Sequence, residues 1–223
     1  LSYNFARRGG YTTMEDYRWP ILRERIGNAV LWQLFNLLFI SGFQVSLFVL
    51  FTAPVHRLAT LDVALAPITV AAAAIAFVVM LAVETIADQQ QWTFQNIKHG
   101  VLAADEPPGW FAVGAGDASI GLREDLERGF LTHGLFHYSR HPNYFGELGV
   151  WWVLYLFAAV AAGGLIHWTG AGAVLLTALF VGSTRFTESI SANRYPRYTD
   201  YQGRTSAVIP WPPAPPAEQE QVD

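Results

Sequence analysis

The stretch "LGVWWVLYLFAAVAAGGLIHWTGAGAVLLTALFVGST", Leu148 to Thr184, contains no Asp, Glu, Lys or Arg. Its 37 residues are too many for one membrane crossing, which takes about 20 apolar residues. The centre, "GGLIHWTG" from Gly163 to Gly170, supplies the glycines of a turn and a Trp suited to the membrane interface. The stretch therefore reads as a hairpin of two short crossings, at about 145–163 and 168–186. Two further uncharged stretches, Ile26–His56 and Val63–Val83, give one crossing each, at about 28–52 and 63–86. The expected fold is an all-α polytopic transmembrane helical bundle with about four spanning helices. With the N-terminus inside, 13 of the 14 basic residues fall on one side and only Arg57 on the other. That asymmetry predicts cytoplasmic N- and C-termini.

Composition agrees with a membrane protein. Hydrophobic residues make up 52% of the 223-residue chain and charged residues only 14%, against roughly 25% charged in a soluble domain. Mean hydropathy is +0.24. The absence of cysteine excludes disulfides, thiolate metal sites and a cysteine nucleophile. The net charge of −4 owes three units to Glu218, Glu220 and Asp223, and nothing suggests a nucleic-acid partner. Residues 1–213 read as a single membrane-embedded domain with a cytoplasmic loop at about 95–140, and 214–223 as a disordered, Pro-rich acidic tail.

Polar residues interrupt the apolar helices at defined spacings. Gln33, Asn36 and Gln44 form a stripe on the first crossing, read either as interhelical hydrogen bonding or as the wall of a substrate cavity. Glu84, Asp88, Gln91 and Gln95 stack at i, i+4, i+7 and i+11 on the end of the second crossing. Carboxylates at membrane depth mark a site by default. The segment "HYSRHPNYFGELGVWW" (137–152) feeds the third crossing, with Pro142 at a position that suits a first helical turn. Asn143, Glu147, Trp151 and Tyr155 recur at spacing four beyond it. Glu147 needs a partner there, and Arg185, at comparable depth in a symmetric hairpin and followed by Glu188, is the candidate. The closing "RFTESISANRYPRYTDYQGRTSAVIPWPP" is basic and aromatic. Such a segment binds lipid headgroups or covers a nucleotide, with Arg on phosphate and Tyr on a base.

Two motifs fail. His133, His137 and His141 stand at spacing four, but six histidines in all, two of them on the outer side, fall short of the roughly eight of a membrane di-iron site. No metal is expected. "GAGDASIG" is not a dinucleotide fingerprint, so any nucleotide must be held by the helices themselves.

"SRHPNYFGE" before an apolar run, "ADQQ" closing the preceding helix and the terminal "RYPRYTDYQGRTSAVIPWPP" together resemble the DUF1295 membrane proteins over roughly Tyr11 to Pro213. These are relatives of the steroid 5-alpha-reductase C-terminal domain in the sterol reductase superfamily. The resemblance implies an enzyme of a bacterial inner membrane that uses NADPH to reduce a carbon–carbon double bond in a steroid-like or other lipid enone. It implies cofactor contacts from Asp88, Asn143, Arg185 and Arg204, with Glu84, Arg140, His141, Glu147 and Tyr198 in the same shell. Gln33, Asn36, Trp151 and Tyr155 are the expected substrate cavity. The family's proton-donating Tyr and carbonyl-gripping Glu lie on helices before Leu1, so no catalytic residue is assigned. An S-adenosylmethionine-dependent methyltransferase of the isoprenylcysteine type and a non-catalytic membrane subunit are the competing readings.

Overall fold

The computed structural model describes residues 6, 15, 18–102, 113–114 and 118–215. Its helices are α1 (Arg18–Ile26), α2 (Ala29–Thr60), α3 (Pro67–Lys98), α4 (Ala118–Arg128), α5 (Pro142–Ala161), α6 (Ala171–Arg194) and α7 (Tyr198–Arg204). A 3-10 turn, Trp168–Gly170, leads into α6. Among the described residues α2, α3, α5 and the unit Trp168–Arg194 are long and apolar enough to cross a membrane. The all-α, four-span architecture stands. The second span continues beyond the expected boundary through Lys98, and the expected 95–140 loop contains α4 and a 3-10 turn, Leu135–His137. Ala214 and Pro215 are the only tail residues described, and Ala214 N–H donates to the Arg204 carbonyl.

Local chemistry sets the helix ends. The Asn28 side-chain oxygen accepts from the N–H groups of Val30 and Leu31 at 2.9 and 3.1 Å, capping α2. Pro67 and Pro142 open α3 and α5, where a missing N–H is harmless. The hairpin turn closes α5 with Gly163 at φ +72°, a conformation that favours glycine. Gly163 N–H donates to the Val160 carbonyl and Gly164 N–H to Ala159, satisfying two end carbonyls. Beyond the turn, the Tyr155 hydroxyl donates to the Leu165 carbonyl at 2.5 Å and accepts from His167 N–H. Tyr155→Phe leaves both backbone groups without that partner, and a loss of about 1 kcal/mol is expected, checked by thermal unfolding in detergent.

A π-helical segment, Asn36–Phe43, runs inside α2. The rings of Trp32, Phe35, Phe39 and Phe43 stack in sequence along it, with centroids 5.1 to 5.7 Å apart. Further along, Leu47 and Phe51 seat against Leu176 of α6, and Trp151 of α5 stacks on Phe51 at 4.3 Å. Gln33 and Gln44 therefore lie exposed and only Asn36 is half-buried. The remaining surface of α2 and α3 is lined by exposed Val, Leu and Ile, as contact with lipid tails requires.

The most extensive contact in the bundle is between α3 and α5. Glycine makes it possible. A Cβ on Gly146 would stand 2.5 Å from the Glu84 backbone N and 2.7 Å from the Met80 carbonyl, and one on Gly149 would meet the Met80 side chain. At the basic end of the bundle the core comprises Ala87, Phe94, Ile97, Leu122, Leu131 and Phe136. There the buried Asp125 carboxylate ties α4 to the following loop, accepting from the Thr132 hydroxyl and N–H and from the His133 ring.

Candidate functional site

Several residues of the 139–147 motif have distinct structural tasks. The Ser139 hydroxyl donates to the Val208 carbonyl at 2.8 Å, and the N–H groups of Arg140 and His141 donate to the carbonyls of Ser206 and Ala207. The terminal segment is thereby stitched onto the start of α5. The Tyr144 ring stacks on His141 and packs against Phe180, and Gly146 sets the α3–α5 separation.

Arg140 and Glu188 form the strongest polar cluster. Arg140 Nε and Nη2 grip the two Glu188 oxygens at 2.6 and 3.0 Å in a bidentate pair, while Nη1 donates to the carbonyls of Gln202 and Thr205. His141 Nε2 and Gln202 Nε2 complete the carboxylate's shell at 3.0 and 2.9 Å. Both charged side chains are about nine-tenths buried, at 10% and 8% exposure. Among the described residues Arg140, His141 and Gln202 are the donors to Glu188, and Arg140 is held by protein groups.

The second cluster joins α3 to α5. Asn143 Nδ2 donates to Asp88 Oδ1 at 3.2 Å, across 55 positions of sequence. One turn away on each helix lie Glu84 and Glu147, half-buried and close enough for their charges to interact. Neither accepts a hydrogen bond among the described residues. Carboxylates at membrane depth are costly without a partner, and among the described residues this pair has unfilled acceptor capacity. Ala87 and Gln90 of "ADQQ" serve the fold, Ala87 in the core at the basic end. Gln90, 1% exposed, donates to the Val113 carbonyl and accepts from Leu135 N–H.

Several expected site residues lie elsewhere. Arg185 is exposed on α6 and forms no ion pair among the described residues, because Arg140 already occupies Glu188 and Glu147 faces α3. Tyr198 is buried edge-on against Phe130 and Tyr201, a core position. Arg204 lines a separate cavity beside α7. The substrate cavity does not assemble from Gln33, Asn36, Trp151 and Tyr155. The aromatic ladder of α2 leaves Gln33 outside, Trp151 is stacked in the core and Tyr155 is tied to the far turn. Of the three spaced histidines, His133 binds Asp125 and lines the α7 cavity with His137, while His141 binds Glu188.

Sequence reasoning missed Gln202, Asp125 and the role of Gly146. Gln202 and Asp125 act across loops, where helical spacing carries no signal. The "GELG" pair of small residues on one face of α5 is the signal that identifies a close helix crossing. Two further ionisations bear on the basic end. Burial, His133 and Arg204 hold the His137 imidazole below its ordinary range. Burial, with Tyr198 and Asp125, pushes the Tyr201 hydroxyl well above its own, so it stays a donor to the Phe136 carbonyl at 2.5 Å.

The family described as "protein of unknown function (DUF1295)" matches residues 1–205. The chain belongs to the DUF1295 family. It is 35% identical over 213 residues to an uncharacterized protein of the fission yeast Schizosaccharomyces pombe, covering 94% of this chain and 59% of that relative. The chain thus spans about three fifths of the relative's length. A eukaryotic relative gives no support to a bacterial inner membrane, and the finding that stands is an integral membrane protein of this family. No solved structure matches the chain.

Proposed function

We propose that this DUF1295 protein is a membrane oxidoreductase that uses NADPH to reduce an activated carbon–carbon double bond in a lipid enone. The observation that carries the reading is the polar cluster Glu84–Asp88–Asn143–Glu147. It joins "ADQQ" to "SRHPNYFGE", two of the segments that carry the resemblance to the DUF1295 proteins, and it holds two carboxylates that accept no hydrogen bond among the described residues. In this reading the basic end of the bundle faces the cytoplasm, where the cofactor is supplied.

The cluster suits the nicotinamide riboside end of that cofactor. Glu84 and Glu147 offer acceptors for ribose hydroxyls. Asn143 keeps one N–H and its carbonyl for a carboxamide, because Asp88 takes only the other N–H. Arg140 is held by Glu188 and two backbone carbonyls, so it orients the start of α5. The bound cofactor supplies hydride to the β-carbon of the enone. The chain's own residues fix the face presented and exclude water between two closely packed helices; the proton donor is left unassigned.

Asp88→Asn and Asn143→Asp are each expected to raise the NADPH Kd by about 10- to 100-fold, the worth of one hydrogen bond to a charged group. Asp88→Asn should keep the melting temperature of the ligand-free protein, whereas Asn143→Asp sets a further carboxylate against Asp88 and should lower it. Thermal shift in detergent with NADPH, alongside NADPH consumption on a panel of enone lipids, tests this. Unchanged NADPH binding in both variants removes the site. A shift with S-adenosylmethionine and none with NADPH transfers the protein to the methyltransferase reading.

A further inference from the structure

At the end of the bundle opposite the basic cluster stands one arginine, Arg57, in the last turn of α2. The buried residues Leu47, Phe51 and Pro54 mark the inward face of α2, and Arg57 follows Pro54 at i+3 on that face. Leu50 lies against Gly172 at the start of α6, where a Cβ would come within 2.9 Å of the Leu50 carbonyl. The same stretch of α2 packs on the 3-10 turn Trp168–Gly170. Arg57 is two helical turns beyond Leu50, about 10 Å, which brings it level with the 163–168 turn. Its Nε is buried without a hydrogen-bond partner, and its guanidinium forms no ion pair among the described residues. The exposed Asp62, in the non-helical segment after α2, does not bind it. A buried N–H without an acceptor is costly.

The turn beside it is apolar and held rigid. Ile166 is 98% exposed, and Leu165 and Trp168 are exposed with it. Their backbone is pinned from within, because the Tyr155 hydroxyl bonds both the Leu165 carbonyl and His167 N–H, and the His167 ring accepts from Thr169 N–H. The side chains are therefore held outward. The span before the turn, Pro142–Ala161, has 20 residues, about the length that crosses the hydrocarbon, so the turn stands at the headgroup boundary. There the surface combines one guanidinium lacking an acceptor with three large apolar side chains. Its complement is an amphiphile with an anionic head: a phosphodiester matches the guanidinium fork, and Trp suits the interface.

We propose that Arg57 and the Leu165–Trp168 turn hold a phospholipid at this face of the membrane, with Arg57 on the phosphodiester and Ile166 and Trp168 against the glycerol and upper acyl region. Dioleoylphosphatidylglycerol and dioleoylglycerol, which differ in the phosphate headgroup, are titrated into the full chain in neutral detergent, and bound lipid is read by native mass spectrometry. Arg57→Gln removes no side-chain hydrogen bond or ion pair among the described residues. It should weaken phosphatidylglycerol at least fivefold and leave dioleoylglycerol unchanged. The chain has no cysteine, so Ile166→Cys and, on the exposed face of α4, Glu127→Cys can each carry a single polarity-sensitive fluorophore in nanodiscs. Lipid bearing a shallow nitroxide should quench the label at 166 at least twofold more than the label at 127. Equal phosphatidylglycerol binding by Arg57→Gln and the unaltered protein overturns the proposal, as does a parallel loss of both lipids. Equal quenching at 166 and 127 overturns it too. No nicotinamide enters either measurement, so such a failure leaves the reductase reading untouched.

Discussion

Glu188→Ala is expected to cost about 3–5 kcal/mol, because it strands a buried guanidinium. Arg140 is 10% exposed and has Glu188 as its only carboxylate partner among the described residues, gripped through both oxygens. His141 and Gln202 lose their acceptor in the same step. The Gln202 and Thr205 carbonyls that Arg140 also holds belong to α7 and the residue after it, so the damage spreads to the terminal segment. The expected result is a chain that inserts but melts early, with α7 and the Ser206–Trp211 stretch cut first by protease. Glu188→Gln keeps the shape and two acceptor lone pairs without the charge, and should fall between Ala and the unaltered protein. The double variant Arg140→Met/Glu188→Met should recover a substantial part of the loss, since an apolar pair leaves no stranded charge. If the two single losses simply add in the double variant, the groups are not coupled and the clamp is refuted.

Gly146→Leu is expected to separate α3 from α5. A β-carbon at this position would meet backbone atoms, the Glu84 N at 2.5 Å and the Met80 O at 2.7 Å, so no side-chain rotation relieves the clash. Even Gly146→Ala should cost about 1–3 kcal/mol, the usual range for overpacking. At Gly149 the obstacle is the flexible Met80 thioether, and Ala there should be tolerated better. At Gly182 nothing lies within 4 Å, and Ala there should be neutral or slightly stabilising. The order Gly146, Gly149, Gly182 in loss of thermal stability is the measurable outcome. A Gly146→Ala protein as stable as Gly182→Ala would show that the two helices are not held at this distance. Because Asn143 sits less than one turn before Gly146, the same variant should weaken the Asp88 contact and any ligand that depends on it.

Much of the architecture was legible because hydrocarbon imposes simple rules. Uncharged length counted the spans, glycines at Gly163 and Gly164 located the turn, and Pro142 located a helix start. Helical spacing placed Glu84 with Asp88 and Asn143 with Glu147 correctly, each pair on one face of its own helix. It failed for Gln33 and Gln44, because the π-helical segment after Phe35 interrupts the 3.6-residue period and an aromatic ladder takes up the packing. It failed also for Arg185, chosen as a carboxylate's partner from depth alone. Depth does not fix rotation about the helix axis, and Arg140 reaches Glu188 from another element 48 positions away.

The sequence by itself determined an all-α membrane bundle, its turns and the end at which its charges gather, since each follows from composition and local spacing in one dimension. Only the tertiary structure decided that Arg140 rather than Arg185 neutralises Glu188 and that Asp88 meets Asn143. Those pairings depend on how helices rotate and cross, which is set by close approach at residues such as Gly146 and not by any periodicity along the chain.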